Sequence, residues 1–275
     1  GGPPSDYMTA YLLGGFAKAA EFHVEIQREM VASAWSYLGQ RYREEWEPEI
    51  GKQDGGWVEF LTLLNFVASA YPDPSWLGDA LPQAERTRIL DWSFEHWRGF
   101  PPYLKGLLAL TLHRMDRHAD ALLVFDSVMD AAKTTRDEGT FWVPEDRAWL
   151  WYNDTIEGHA LALRALLELR PRDPRAAGLV QWLFLNKKLG HWTSTRSTSE
   201  VLYSLAVYLQ QAGQLGQREA AKVAVANRTT DFVWDPDRYT GKRNQIVVPG
   251  AVVDAERAAA VTVTQESPGL MFASA

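Results

Sequence analysis

Apolar residues recur along most of the chain at the spacing of one face of an α-helix. The clearest case is residues 190–211, GHWTSTRSTSEVLYSLAVYLQQ, where a hydroxyl-rich segment precedes a helix rich in leucine and alanine. Ser197, followed three residues later by Glu200, fits a capping box and predicts where this helix begins. Its expected apolar face comprises Val201, Leu202, Leu205, Ala206 and Leu209.

Polar turns followed by apolar helices are repeated from the start of the chain. The first predicted helix lies within 5–22, with Asp6 as its cap and with Gly14 and Gly15 open to close approach of a neighbouring helix. Its expected apolar face comprises Met8, Tyr11, Leu12, Gly15, Phe16 and Ala19. The second helix is predicted at 27–45, with an apolar face of Met30, Val31, Ala34, Leu38 and Tyr42.

The remaining helices are predicted in pairs. The same periodicity places helices at 58–70, 82–97, 103–115, 117–132, 151–169 and 174–188, with extended or proline-containing segments between them. One leucine from the first helix of each pair gives the series Leu12, Leu64, Leu108, Leu161 and Leu202. A repeat of about 45 residues with two helices per unit predicts stacked hairpins, either an open solenoid or a closed α/α toroid. The aromatic and glycine residues before each first helix favour the toroid.

The pattern changes to period-two alternation after Gln211. Short strands are predicted at 222–228, 229–235, 243–250, 258–265 and 269–275. These place a boundary between a helical domain at 1–213 and a β segment at 214–275. Five short strands are too few to bury a core of their own, so we expect them to pair with strands outside this chain.

The composition narrows the classes of function. The net charge of −7 over 275 residues leaves no basic surplus for a nucleic-acid partner. The absence of cysteine excludes disulfides, thiolate metal sites, a cysteine nucleophile and an internal thioester within these residues. No apolar run reaches the length of a membrane span. The first residues, Gly-Gly-Pro-Pro, are neither an initiator methionine nor a signal peptide, and we interpret the chain as part of a longer protein.

Candidate catalytic and metal-binding residues are few. None of the six histidines forms His-Glu-x-x-His, and His113 and His118 are five residues apart, which is not the spacing for sharing a metal on one helix. Asp154, Glu157 and His159 fit a capped helix start with a hydrogen-bonded histidine, with a functional trio as the alternative. The acidic run of Glu44, Glu45, Glu47 and Glu49 is interpreted as a solvated helix end. We therefore predict no catalytic, cofactor-binding or metal-binding residue.

An inverting glycosidase is the alternative function. Such an enzyme would place two carboxylates in the central funnel of a toroid. The candidates at helix starts are Asp6, Asp54, Glu59, Asp154 and Glu157, and the 12 tryptophans offer sugar platforms, although they are equally expected as packing residues. The Asp-rich motif of terpene cyclases, the Gly-x-Ser-x-Gly elbow and the Gly-rich nucleotide loops are absent.

A family resemblance comes from the 190–211 segment. Residues 190–198 followed by Leu202 and Leu205 resemble the Gly-x-Trp-x-Ser-Thr-x-x-Thr…Leu-x-x-Leu signature of alpha-2-macroglobulin-like proteins. Residues 5–12, SDYMTAYL, are similar to an earlier inner helix of that family. The resemblance covers about 1–212, and the remaining tail is similar to half of the family's CUB-type β-domain.

This resemblance implies a fold and a function. It implies a thioester-domain-like α/α toroid with about five of six hairpins, in which Trp192, Ser194, Thr195 and Thr198 fix the start of an inner helix. The family's Cys-Gly/Leu-Glu-Gln thioester motif is missing here and would lie upstream of Gly1. The implied role is that of a protease-trapping, inhibitory module of a bacterial periplasmic or envelope protein, without catalysis of its own. Its partners would be proteases and other domains of the same parent chain.

A helical-repeat scaffold that binds protein in a groove is a third hypothesis.

Overall fold

The computed structural model describes residues 4–52, 56–71, 73–142, 154–188, 191–225, 228–238, 245–253, 260–269 and 271. Over these residues the chain is mainly helical, with nine α-helices and two small antiparallel sheets. It divides into two compact units, Gly1–Leu205 and Ala206–Ala275, and the boundary falls inside the last helix.

The helices follow one another in pairs. Their bounds are α1 Asp6–Glu21, α2 Arg28–Arg41, α3 Val58–Ser69, α4 Gln83–His96, α5 Pro102–Arg114, α6 His118–Met129, α7 Thr155–Leu169, α8 Arg175–Leu185 and α9 Thr195–Gln211. A π-helical turn, Tyr42–Trp46, continues α2. The predicted helices are all present, and α5 starts at Pro102 because proline at the first helical position presets φ and lacks only an unneeded N–H.

Neighbouring helices contact one another in a regular order. In the first unit α1 packs on α3, α3 on α5 and α5 on α7, while each of these four also packs on the helix that follows it. The odd-numbered helices α3, α5 and α7 are buried over nearly their whole circumference, whereas α2, α4 and α8 bury one side. A helix covered on all sides carries apolar residues all round, and the leucine-rich sequences of α3 and α5 meet that need.

Several predicted details of the helix faces are wrong. Leu12 and Leu202 are 54% and 56% exposed, and the buried face of α1 is Ala10, Leu13 and Ala17. Adjacent apolar residues such as Leu12 and Leu13 point about 100° apart, so periodicity alone does not identify which of them faces the core.

The glycines that permit close approach are not the predicted ones. A Cβ on Gly14 would make an ordinary contact of 3.5 Å with Val67, and one on Gly15 would meet nothing within 4 Å. A Cβ on Gly39 would instead lie 2.6 Å from Cα of Ala80, and one on Gly106 would lie 2.9 Å from Leu161. Gly39 of α2 therefore lies close to the connection that precedes α4, and Gly106 of α5 lies close to α7, and neither glycine was predicted to do so.

A β-hairpin follows α6 within the helical unit. β1 Lys133–Thr135 and β2 Gly139–Phe141 are antiparallel, with Thr134 paired to Thr140. The sequence predicts an extended or proline-containing segment between the helices at 117–132 and 151–169, and 133–142 of it lie within the described residues. Gly139 has a φ of +79°, which glycine adopts without strain.

The second unit contains a three-stranded antiparallel sheet in the order β4-β3-β5. The strands are β3 Glu219–Val225, β4 Arg228–Trp234 and β5 Val261–Gln265. The strand predicted at 243–250 is wrong for the part that is described, because 245–249 is irregular and leads through Pro249 into a 3-10 turn. The strand predicted at 269–275 lies almost entirely outside the described residues.

Candidate functional site

A buried ion pair joins the first turns of α7 and α9. Nε of Arg196 lies 2.7 Å from both carboxylate oxygens of Glu157, whose side chain is 3% exposed. Arg196 also donates to the Tyr7 hydroxyl at the start of α1. Three odd-numbered helices therefore meet at one charged cluster, which we call the Glu157–Arg196 cluster.

Two helix caps position these side chains. The Asp154 carboxylate accepts the Glu157 N–H at 2.9 Å, as the sequence predicted for a cap at the start of α7. The Ser194 hydroxyl accepts the Ser197 N–H at 3.0 Å, so α9 begins three residues before the predicted start. The capping box of Ser197 and Glu200 is therefore wrong, and the Glu200 carboxylate pairs with Lys18 of α1 instead.

The buried Ser197 hydroxyl connects the two carboxylates of α7. It lies 3.4 Å from Oδ1 of Asp154 and 3.3 Å from Oε1 of Glu157. Both carboxylates are thus already engaged, one as a helix cap and the other by a guanidinium. A general base needs a carboxylate that is available to a substrate proton, and this arrangement instead fixes the helix starts.

Burial sets the protonation of the cluster. It raises the pKa of Glu157 above its usual value, even though the Arg196 guanidinium opposes the shift. Burial also raises the pKa values of Tyr7, Tyr11 and Tyr103, which moves these phenols further from ionisation at pH 7.

A second polar group lies toward the ends of the odd-numbered helices. Arg114 of α5 binds Glu168 of α7 through two hydrogen bonds of 2.7 and 2.8 Å. Burial opposes the charge of Glu168, but the bonds from Arg114 hold its pKa below the usual value. Glu21 of α1 accepts from Tyr203 of α9 and lies 3.7 Å from Arg164. Polar pairs therefore connect α1, α5, α7 and α9 at a second place, several turns away from the helix starts that form the Glu157–Arg196 cluster.

Trp192 fixes the chain just before α9. Its side chain is buried, its Nε1–H donates to the Leu183 carbonyl at 2.8 Å, and its backbone N–H donates to the Thr198 hydroxyl at 3.1 Å. The predicted structural roles of Trp192, Ser194 and Thr198 are confirmed. Thr195 is an exposed first residue of the helix, and the motif's Gly190 lies outside the described residues.

His159 is a packed structural histidine. Its ring stacks between Trp142 and Trp182 with centroid distances of 3.8 Å on each side. Its Nδ1–H donates to the Thr155 carbonyl at 2.7 Å, and its Nε2 accepts the Trp142 N–H at 3.3 Å. Burial lowers its pKa to about 4. Asp154 thus caps α7 and His159 is a hydrogen-bonded histidine, as the structural interpretation of this trio predicted.

An open cavity of about 550 Å³ lies at the starts of α1 and α3. It is lined by Asp6, Tyr7, Trp57 and Glu59 among others, so it contains two of the five carboxylates proposed for a glycosidase. Asp6 is not the cap of α1, because Ser5 fills that role, and Asp6 instead accepts from Tyr37 at 2.6 Å. Asp54 is outside the described residues.

Glu59 differs from the other candidate carboxylates. It is half-buried, and no hydrogen bond or ion pair to it occurs among the described residues. The described part of the chain has no group of three histidine or acidic side chains placed to hold a metal ion. The acidic run after α2 instead pairs with nearby cations, Glu45 with Arg41 and Glu49 with Lys52.

Comparison with known proteins found no matching family model and no matching curated protein. Among the described helices, none has both the length and the hydropathy required to cross a membrane.

Glu157 was a candidate from the sequence, but the other members of the charged cluster, Arg196 and Tyr7, were not. Arg196 lies within the segment that resembles the family signature, but no partner was predicted for it. Its partners Tyr7 and Glu157 are far away in sequence, so no local spacing connects them to it. The available signal was a single arginine among hydroxyl side chains at a helix start, where a cation is unfavourable unless a carboxylate faces it.

Proposed function

We propose that this chain is a binding and conformational module of an alpha-2-macroglobulin-like protein, with no catalysis of its own. In this proposal residues 1–213 form an α/α toroid that resembles the family's thioester domain, and residues 214–275 are part of a CUB-like β-domain. The parent protein would trap proteases in the bacterial periplasm or envelope.

The order of helix contacts carries this proposal. Each odd-numbered helix up to α7 packs on the next, and side chains from the first half of α9 reach both α7, through Arg196, and α1, through Lys18–Glu200. The last helix of the series thus contacts the first, as required of the inner helices of a toroid. The buried Trp192 and its bond to Thr198, both in the segment that resembles the family signature, add support.

The proposed mechanism is mechanical. Cleavage of the parent elsewhere would release this module from its neighbouring domains and let the parent close on the protease. The module's charged and aromatic side chains stabilise its own helices, and none of them is assigned to a reacting atom. The three-stranded sheet, with apolar side chains on an exposed face, fits a β-domain completed by other strands of the parent.

A protease-trapping assay on the full-length parent tests this function. The purified parent is incubated with an active endoprotease, and the mixture is separated by size. We expect the protease to co-elute with the cleaved parent and to keep its activity on a small chromogenic peptide while losing activity on casein. A parent that is merely digested, with the protease eluting alone, would overturn the proposal.

A carbohydrate-active enzyme is the second candidate, because the cavity of Asp6 and Glu59 also contains Trp57 and Tyr7. An unpaired carboxylate beside aromatic rings is the arrangement that a sugar hydrolase would use. The test is release of reducing sugar from a panel of oligosaccharides by the purified chain. Turnover that is abolished by Glu59→Gln or by Asp154→Asn, in variants with unchanged circular dichroism, would replace the binding-module proposal.

A further inference from the structure

Two histidines that are not helical neighbours come together at the turn between α5 and α6. Nδ1 of His113 and Nδ1 of His118 are 3.1 Å apart, and the ring centroids are 4.7 Å apart. His113 belongs to the last turn of α5, and His118 is the first residue of α6. Their five-residue spacing fits no site on a single helix, but the reversal of the chain supplies the contact.

The backbone of this turn is held in place. Asp116 adopts a φ of +63°, and its N–H donates to the His113 carbonyl at 3.1 Å. The Arg117 N–H donates to the Leu112 carbonyl at 2.8 Å, which closes the end of α5. Because α5 and α6 also pack on each other, the two rings are presented by a fixed scaffold rather than by a free loop.

We propose that His113 and His118 bind one borderline divalent cation, Zn²⁺, Ni²⁺ or Cu²⁺, through their two Nδ1 atoms. Imidazole nitrogen is a ligand that suits these ions. Metal–nitrogen bonds of about 2.0–2.1 Å, meeting at between a right angle and a tetrahedral angle, separate the two nitrogens by roughly 2.9–3.4 Å. The observed separation of 3.1 Å falls inside that interval.

The surroundings of the pair favour a cation. Nε2 of His118 lies 3.9 Å from the Asp116 carboxylate, whose exposed side chain needs only a small rotation to accept the Nε2–H of a metal-bound ring. The nearby Arg117 guanidinium is neutralised by Asp91 and Asp120, at 2.6 and 2.8 Å. No third histidine or acidic ligand completes the set within the described residues, so water fills the other positions and the ion is exchangeable.

Metal binding replaces a hydrogen bond in this pair. Without metal, one neutral ring donates its Nδ1–H to the Nδ1 lone pair of the other. With metal, both Nδ1 lone pairs bind the ion, and each ring carries its proton on Nε2. One ring therefore changes tautomer, and its proton moves from Nδ1 to Nε2.

Titration calorimetry on the untagged chain tests the site, with Zn²⁺ and Ni²⁺ as probes at pH 7.5. We expect one ion per chain, and we expect His118→Ala and His113→Ala each to weaken binding at least tenfold. His23→Ala is the matched control, because His23 is exposed and belongs to a different turn, and it should leave the affinity unchanged.

Long-range ¹H–¹⁵N spectra of the imidazole rings give an independent readout. On adding Zn²⁺, the signals of both rings should shift to the form with the proton on Nε2. The His118 side chain is 60% exposed, so His118→Ala should fold even if His113→Ala does not. No binding by the wild-type chain at millimolar metal, or equal affinities of the wild type and His118→Ala, would overturn the proposal.

Discussion

Arg196 holds the carboxylate of Glu157 with its Nε 2.7 Å from each oxygen, in a position where Glu157 is 3% exposed. Removing one partner of such a pair leaves an uncompensated buried charge, which costs about 3–5 kcal/mol. We therefore expect Arg196→Met to lower the free energy of unfolding by roughly that amount. Urea denaturation followed by circular dichroism measures this change.

A solvent-exposed ion pair provides the control for this experiment. Arg88 and Glu85 are 2.8 Å apart on the surface of α4, with side chains 47% and 24% exposed. Arg88→Met should change stability by less than about 1 kcal/mol, because exposed pairs contribute little. Equal costs for Arg88→Met and Arg196→Met would mean that the Glu157–Arg196 cluster does not secure the helix starts.

The buried His159 should make the free energy of unfolding fall in mild acid. Its folded-state pKa is about 4, so as the pH falls the unfolded chain takes up a proton first. Stability is therefore complete above the unfolded pKa and is lost between about pH 6.5 and 4, by about 3 kcal/mol. His159→Phe keeps an aromatic ring between Trp142 and Trp182 but cannot titrate. Its unfolding free energy should lack this part of the pH dependence, and parallel profiles for the two proteins would contradict the assignment.

Replacing two threonines of the same segment, Thr198 and Thr195, should have very different effects on stability. Thr198 accepts the Trp192 N–H at 3.1 Å, whereas Thr195 is exposed on the first turn of α9. Thr198→Val leaves a partly buried donor without an acceptor, which costs about 1–2 kcal/mol. Thr195→Val should change stability by less than about 0.5 kcal/mol. Thermal melts of the two variants measure both changes. A larger loss of stability for Thr195→Val than for Thr198→Val would rule out the proposed role of Thr198.

The helices of this chain were predictable because their sequences are locally consistent. Leucine-rich stretches such as Val58–Ser69, ended by proline and aspartate, allow one secondary structure only. Helix faces were less predictable, as Leu12 illustrates, because Leu12 and Leu13 are adjacent and periodicity alone does not identify which of them faces the core. The short strand β2 was missed as a strand, since its ladder to β1 is only three residues long.

Local sequence patterns could not predict the Glu157–Arg196 cluster. The capping role of Asp154 follows from its position at a helix start, and it was predicted. Glu157 and Arg196 are 39 residues apart in the sequence and lie on different helices, so no periodicity predicts their ion pair. The contact of His113 with His118 likewise depends on how the turn reverses, not on a spacing within one helix.

Alanine substitutions at two helical glycines, Gly178 and Gly158, should change stability in opposite directions. A Cβ on Gly178 in α8 would overlap the Thr140 side chain of β2, whereas a Cβ on Gly158 in α7 would meet nothing within 4 Å. Gly178→Ala should therefore destabilise the chain by about 1–3 kcal/mol. Gly158→Ala should stabilise it by about 0.5–1 kcal/mol, because alanine has less backbone entropy to lose in a helix. Urea denaturation of the two variants measures both values, and a stabilising Gly178→Ala would show that β2 does not pack tightly on α8.

The three-stranded sheet is expected to lack stability when produced alone. All five residues of β5 are exposed, and Val261 and Val263 are 48% and 37% exposed, so β5 is not covered by any other described residue of the chain. A small sheet is marginally stable unless its apolar face is packed against another element that excludes water. A chain of residues 219–275 should exchange its amide protons within seconds to minutes, as an unfolded peptide does. Amides in Glu219–Val225 that stay protected for hours would mean that the segment folds independently, and that its exposed valines need no partner strands.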